Sequence, residues 1–375
     1  MSLKREESEF FPRGVALGNN FCNRVHEQAR LTNNIKSVVA TLVTSPRRYG
    51  KTSLVLNVLR KHQIIFAYID LYAEMDEQGV SSAILNGIGN VLYKLESMPK
   101  KAFKFVADFF ANLSISFRFK GAEIKVEFLG ARKSSGKLIL TTLRNLDAIL
   151  QKKKKKVVLF IDEFQRIGEI SDSITIEGAL RNIAQQTKNI CFIFSGSNRH
   201  MLNLIFDDRK RPFYNLCDKI ILDRIDKKDY IPFIQKKAEK RWGKRLTAEA
   251  MDEIFELVIQ HPYYLNVLCH RLWYENKPPT ASKIIAEWGK YAQEEKSRVM
   301  ADLDQLSRNQ AKVVIAISKY GREHLPTSKE FLHLTKMSSS SVIQALEKLK
   351  IMDYLYVNAE GKYQVLDPLI EYLFM

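Results

Sequence analysis

Gly50-Lys51-Thr52 sets a lysine and a hydroxyl directly behind a glycine. A loop that cradles phosphate needs inward backbone N–H groups, a helix N-terminus behind them, a lysine for the charge and a hydroxyl for a hard cation. Gly50 permits close backbone approach, Lys51 would reach the β- and γ-phosphates of a nucleoside triphosphate, and Thr52 would ligate Mg²⁺. Arg47, Arg48, Tyr49 and Ser53 flank them as further lining. The usual spelling is G-x-x-x-x-G-K-[ST], and Ser45 stands at its first glycine. That glycine serves a turn, and serine can adopt such a backbone, so the change removes no chemical group.

A second cluster lies further along. "VVLFIDEF" (157–164) is an apolar run ending in two carboxylates. Asp162 is placed to hold Mg²⁺, directly or through water, and Glu163 to polarise an attacking water. Alone, this would read equally well as a strand ending in surface acids; with Gly50-Lys51-Thr52 upstream it reads as half of a triphosphate site. In "FSGSNRHM" (194–201), a polar residue at the end of the next strand can contact the γ-phosphate or orient the water; Ser197 is the first choice and Ser195 the second. No N-K-x-D base-recognition tetrad appears, since Asn276-Lys277 is followed by two prolines, which favours ATP over GTP.

These groups need elements to position them. "SVVATLVT" (37–44) reads as a buried strand feeding the loop, and "KTSLVLNVLRKH" (51–62) as the helix behind it. "IIFAYIDL" (64–71), "VVLFIDEF", "NICFIFSGS" (189–197) and "DKIILDRI" (218–225) read as further strands, with helices over 80–110, broken near Pro99, and 136–151. "LSISFRFKGAEIKVEF" (113–128) alternates about Lys120-Gly121 and reads as an inserted hairpin. Strand–helix alternation makes an α/β three-layer core on a parallel sheet. From 226 to about 298 the pattern is helical, broken at "HPYYL" (261–265). Beyond 303 come three helices, the second capped by Thr327 or Ser328 with Glu330 near a capping-box position, then a hairpin across "NAEG": a winged-helix arrangement. The expected divisions are a core over 1–222 with the hairpin at about 110–130, a lid over 223–300 and a winged helix over 301–375.

The 375 residues suit two or three domains, and 46% hydrophobic with 27% charged residues is a globular composition. No apolar run approaches membrane-spanning length, so no membrane partner is expected. Cys22, Cys191, Cys217 and Cys269 are scattered, as reduced thiols of a cytoplasmic protein, with neither a disulfide framework nor a metal site. The net charge of +17 favours polyanions, although "KKKKK" (152–156) reads as a solvated loop before a strand.

"FCNR", "PRRYGKTSL", "LFIDEFQRI", "FSGSNRHML", "RKRPFY" and "HPYYLNVLCHRLW" together resemble the AAA+/STAND-like ATPases known as "ATPase domain predominantly from Archaea", with bacterial relatives, over about residues 10–375. The resemblance implies a P-loop NTPase (AAA+/ASCE-type) core with parallel strand order 5-1-4-3-2, a helical lid and a C-terminal winged helix. It implies ATP or ADP with Mg²⁺ as ligands and a slow, nucleotide-driven switch, with a nucleotide of purely structural role in a DNA- or protein-binding module as the alternative. It places Phe21, Asn23 and Arg24 near the adenine, and His261, Pro262 and Tyr263 in a lid motif over base and sugar. The last three also read as a proline-started helix N-terminus with buried tyrosines. Arg209 or Arg211 would reach a neighbouring subunit's γ-phosphate, which requires a homo-oligomer; as surface charge they would pair with Asp207 and Asp208. No clear sensor-2 arginine stands in the lid. The winged helix makes double-stranded DNA a candidate partner, through serines and lysines at about 338–350, with a protein-interaction or purely packing domain as the equal alternative.

Overall fold

Strands buried on both faces need continuous apolar runs, and the core strands have them. The computed structural model describes residues 10–111, 116–120, 123–127, 135–171, 173–320, 325–357 and 361–375. It forms two compact units, one spanning Arg24–Asp223 and one joining the described residues up to Asn23 to Arg224–Met375.

In the first unit, β1 (Thr41–Thr44), β2 (Phe66–Asp70), β5 (Val157–Asp162), β6 (Ile190–Gly196) and β7 (Asp218–Ile221) form one sheet in the order β2-β5-β6-β1-β7. Every neighbouring pair is parallel. Counted among these five strands, the order is 5-1-4-3-2, as expected. β5 and β6 are buried along their whole length. Helices Lys51–Lys61, Glu77–Lys94, Ser135–Lys153 and Ser173–Gln186 connect and cover the strands. The hairpin is present, β3 (Ser116–Lys120) against β4 (Glu123–Glu127), with Lys120 opposite Glu123. Its expected turn residue Gly121 lies outside the described residues, as do residues 358–360 of the "NAEG" turn and the first nine residues.

Two expected elements take a different form from their sequence pattern. Helix Val25–Ser37 runs into "SVVATLVT" and closes on Val38, left-handed at φ 57°, whose N–H reaches Asn34 and Ile35 carbonyls; only Thr41–Thr44 remain as strand. Pro99 does not merely interrupt a helix but begins a new one, Pro99–Ala111, as its fixed φ and missing N–H allow at a first turn.

The second unit is built on helices Lys227–Trp242, Ala248–Val258, Pro262–Leu272, Ala281–Asp304, Arg308–Tyr320, Lys329–Thr335 and Ser339–Ile351, then β8 (Leu355–Val357) against β9 (Tyr363–Val365) and helix Pro368–Phe374. Helix Ala281–Asp304 runs unbroken through residue 300, where the pattern suggested a division. One apolar core joins the helical and winged-helix parts around buried Trp288. Phe11, also fully buried there, packs edge-on to Trp273 at 4.6 Å, so the N-terminal segment is an integral part of this unit. Ser328, not Thr327, caps Lys329–Thr335 by accepting from Phe331 N–H, which puts Phe331 rather than Glu330 at the capping-box position. The terminal helix Pro368–Phe374, capped by Asp367, lies beyond the expected hairpin.

Candidate nucleotide site

The parallel sheet carries the C-terminal ends of β1, β5 and β6 to one edge, where α/β sheets bind ligands. β6 lies between β1 and β5. Ser195 pairs with Val43 on one side, and Ile161 with Phe194 on the other, so the end of β6 adjoins both motifs.

The loop after β1 turns through Gly50, left-handed at φ 90°, into helix Lys51–Lys61. Glycine is favoured there because a side chain would strain this backbone. Ser45 is absent from the positive-φ positions and is fully buried, so this turn needs no glycine at its head. Lys51 is buried, and its Nζ donates to Ser45 O at 3.1 Å, Pro46 O at 3.1 Å and Ser45 Oγ at 3.3 Å. The first turn of that helix carries no acidic residue. An ammonium therefore adds to the positive end of the helix dipole, a charge arrangement that suits an anion.

Asp162 is the centre of the polar cluster. Its Oδ2 accepts from Thr52 Oγ1 at 2.6 Å and from Tyr68 OH at 3.2 Å. Its Oδ1 accepts from the Ser195 hydroxyl and from Glu163 N–H at 3.0 Å. Glu163 is left-handed at φ 52°, a strained backbone for a residue other than glycine. The next residue, Phe164, is fully buried against Phe194, Phe206 and Phe213, with ring centroids at 4.5, 5.6 and 5.2 Å, which anchors the turn. The Glu163 head accepts from Ser197 Oγ at 3.1 Å and from the Gln165 amide. Burial, then the negative charges of Asp162 and Asp70, push the Tyr68 phenol far up, so it stays a donor. Burial also raises Asp70, against the Tyr72 N–H and with Asp162 and Glu163 adding to it.

Thr52 and Asp162 supply hard oxygens side by side, the few protein ligands that Mg²⁺ takes when phosphates complete its shell. Among the described residues no group of three His, Cys, Asp or Glu side chains could hold a metal alone. The donor set thus fits an ion shared with phosphate.

Lys51, Thr52, Asp162, Glu163, Ser195 and Ser197 come together as expected. Tyr49 and Ser53 are buried beside them, while Arg47 and Arg48 are exposed. Arg24, expected near the adenine, has its guanidinium engaged by Asp223 O, Glu27 at 3.3 Å and Tyr49 O within 3.5 Å. Phe21, Asn23, His261, Pro262 and Tyr263 belong to the other unit. There His261 caps helix Pro262–Leu272, its Nδ1 accepting from Tyr263 N–H at 3.2 Å. Arg209 is exposed. Arg211 pairs with the fully buried Glu177 of its own chain, and Asp207 pairs with Lys219, so the pairing with Asp207 and Asp208 does not form at Arg211. Burial pushes Glu177 up to about 7, against the pull of Arg211. Tyr68, in the middle of β2, and Gln165, in the short helix Phe164–Glu169 after β5, were not among the expected site residues, and no linear pattern marked them. Among the described residues no helix is long and apolar enough to cross a membrane.

Comparison with known proteins agrees with this geometry. Residues 300–374 match the family described as a probable winged helix domain. Among solved structures, the chain is similar to the Walker-type ATPase PABY2304 of Pyrococcus abyssi, at 18% identity and TM-score 0.69, covering 97% of this chain and 99% of that one. It is also similar to the Aeropyrum pernix ORC2 protein in its ADPNP–ADP complexes, at 13% identity and TM-score 0.56, covering 97% and 96%. No curated protein matches the chain. At these identities the likeness is one of fold, a P-loop ATPase core with a winged helix. The family described as "ATPase domain predominantly from Archaea" matches residues 21–268, about two thirds of the chain and the whole of the site above. With its lysine, hydroxyl and paired carboxylates at the ends of β1 and β5, the chain belongs to that family of P-loop ATPases.

Proposed function

We propose that this protein hydrolyses ATP with Mg²⁺ and uses the cycle as a conformational switch. The observation that carries the reading is the convergence of Thr52, Tyr68 and Ser195 on Asp162, with Ser197 and Gln165 on Glu163. A site of purely structural role has no use for a second, separately oriented carboxylate. Lys51 and the loop N–H groups would hold the phosphates, and Thr52 and Asp162 the ion. When bound, Mg²⁺ neutralises charge on the phosphate oxygens. Glu163 takes the proton of the attacking water, and Ser197 keeps that carboxylate in place. ATP is favoured over GTP by the missing N-K-x-D tetrad. The adenine nucleotides in the complexes of the Aeropyrum pernix ORC2 protein support the choice of base.

The winged-helix match supports a second binding role, with duplex DNA as partner through helix Ser339–Ile351. Arg211, or Arg209, would serve as an arginine finger in a self-assembled ATP state, which requires Arg211 to leave Glu177. Mixing Arg211→Ala with Lys51→Ala chains tests this: recovered phosphate release supports the finger, and no recovery from a protein that stays monomeric in ATP rejects it. The nucleotide reading itself is tested by mass spectrometry of the purified chain and by MgATP titration. Adenine nucleotide bound in micromolar or tighter range is expected, and absence of ATP binding would overturn it.

A further inference from the structure

Gln165 directly follows the turn that displays Glu163, and it is 6% exposed. Its Nε2 donates to Glu163 Oε2, whereas its Oε1 is buried with no hydrogen-bond partner. Leaving a buried acceptor unmet is costly. The reverse amide orientation would set oxygen against carboxylate, two acceptors face to face, so Glu163 dictates which way the amide points. The seat for that amide is Gly196, the last residue of β6. A Cβ at 196 would fall 2.1 Å from Gln165 Oε1. Only glycine leaves the amide where it is.

Ser197 supplies the other donor. Its Oγ is 3.1 Å from Glu163 Oε2 and 3.5 Å from Oε1. A hydroxyl has one proton to give, and the nearer oxygen takes it. Both donors therefore load Oε2, and Oε1 keeps its lone pairs. With Phe164 fixing the backbone and two donors fixing the head, the carboxylate presents one defined oxygen.

We propose that Gln165, seated on Gly196, is the positioning residue that orients Glu163, so that Oε1 is the oxygen which receives the proton from water. This rests on the reading of Glu163 as the base. Misplacing a catalytic group by about 1 Å can cost roughly 10²-fold in rate.

The test is a double-mutant cycle on the full chain, read as kcat for phosphate release and separately as ATP affinity. Gln165→Leu should lower kcat by roughly 10- to 10²-fold with ATP affinity unchanged. Gly196→Ala should do the same by a different route, since the atom it displaces is the free end of a flexible side chain and the fold is little taxed. In a Glu163→Gln background, Gln165→Leu should cause no further loss, because it acts only through Glu163. Wild-type kcat in both Gln165→Leu and Gly196→Ala, or equal proportional losses with and without Glu163, overturns the inference while leaving Glu163 as base. If Glu163→Gln alone turns over like wild type, the base reading fails and this inference with it. Should Gln165→Leu not fold, Gly196→Ala alone and combined with Glu163→Gln decides the same question.

Discussion

The end of the parallel sheet and the third helix of the winged helix both display hydroxyls, but they use them differently. At the sheet edge, Thr52, Ser195 and Tyr68 all donate to the single carboxylate of Asp162, far more than a strand end needs to satisfy its own backbone. In helix Ser339–Ile351, Ser338 accepts from Ser341 N–H as the cap, and its hydroxyl is shared with Ser340 and Ser341. Lys350 lies over the Tyr363 ring. Those polar groups meet the demands of the helix itself. Convergence on one acceptor marks chemistry, whereas local capping marks folding. The proposed nucleotide site therefore rests on geometry, whereas the proposal of duplex binding rests on the winged-helix match alone.

Lys51→Ala sharpens the contrast most. It removes the charge that the loop surrounds, and ATP binding should fall below detection by equilibrium titration. Unchanged affinity would mean that the convergence serves only the fold. Duplex binding could break the contrast from the other side. If helix Ser339–Ile351 does contact phosphates, a footprint of about four loses roughly 10²-fold in affinity between 50 and 200 mM salt. A flat salt response, or no binding at low salt, leaves the helix as a packing element.

The buried Glu177–Arg211 pair is an intermediate case, polar but removed from the carboxylate cluster. The folded Glu177 keeps its proton up to about pH 7, and the unfolded chain releases it near 4.5. Stability should then fall as pH rises through that window and level off above it, by about 3 kcal/mol. Urea midpoints from pH 5 to 8 should show this slope in wild type and lose it in Glu177→Gln. An equal slope in both would assign it to other groups. The smallest effect belongs to Tyr68→Phe. It removes one of four donors to Asp162 and should weaken MgATP binding or turnover by about 1 kcal/mol, roughly fivefold, as an ATP titration would show. A loss beyond 10²-fold would give Tyr68 a direct part in the chemistry.

What was legible in the sequence was what linear spacing encodes. Lys51 and Thr52 adjoin in the chain, and Asp162-Glu163 end an unbroken apolar run, so their roles need no knowledge of strand order. The strand order followed from alternation joined to the family resemblance. Tyr68 was not legible, because its reach to Asp162 depends on β2 pairing with β5 in the register that sets Asp70 opposite Asp162. Gln165 depends equally on the space left by Gly196, a neighbour only in three dimensions. Arg24 read as a base contact, but its guanidinium lies among backbone carbonyls that no pattern could place there. Phe11 and the N-terminal segment joined the helical unit through a tertiary contact with Trp273, far along the chain.

The central claim is that Glu163 turns a nucleotide-binding site into a hydrolytic one. Its most direct test compares phosphate release by wild type and Glu163→Gln at saturating MgATP, with bound nucleotide measured in the same samples. Both proteins should bind ATP with similar affinity, and the variant should lose roughly 10²- to 10⁴-fold in turnover, the reach of a positioned general base. Equal turnover in the two, or a wild-type protein that binds ATP and releases no phosphate, would contradict it.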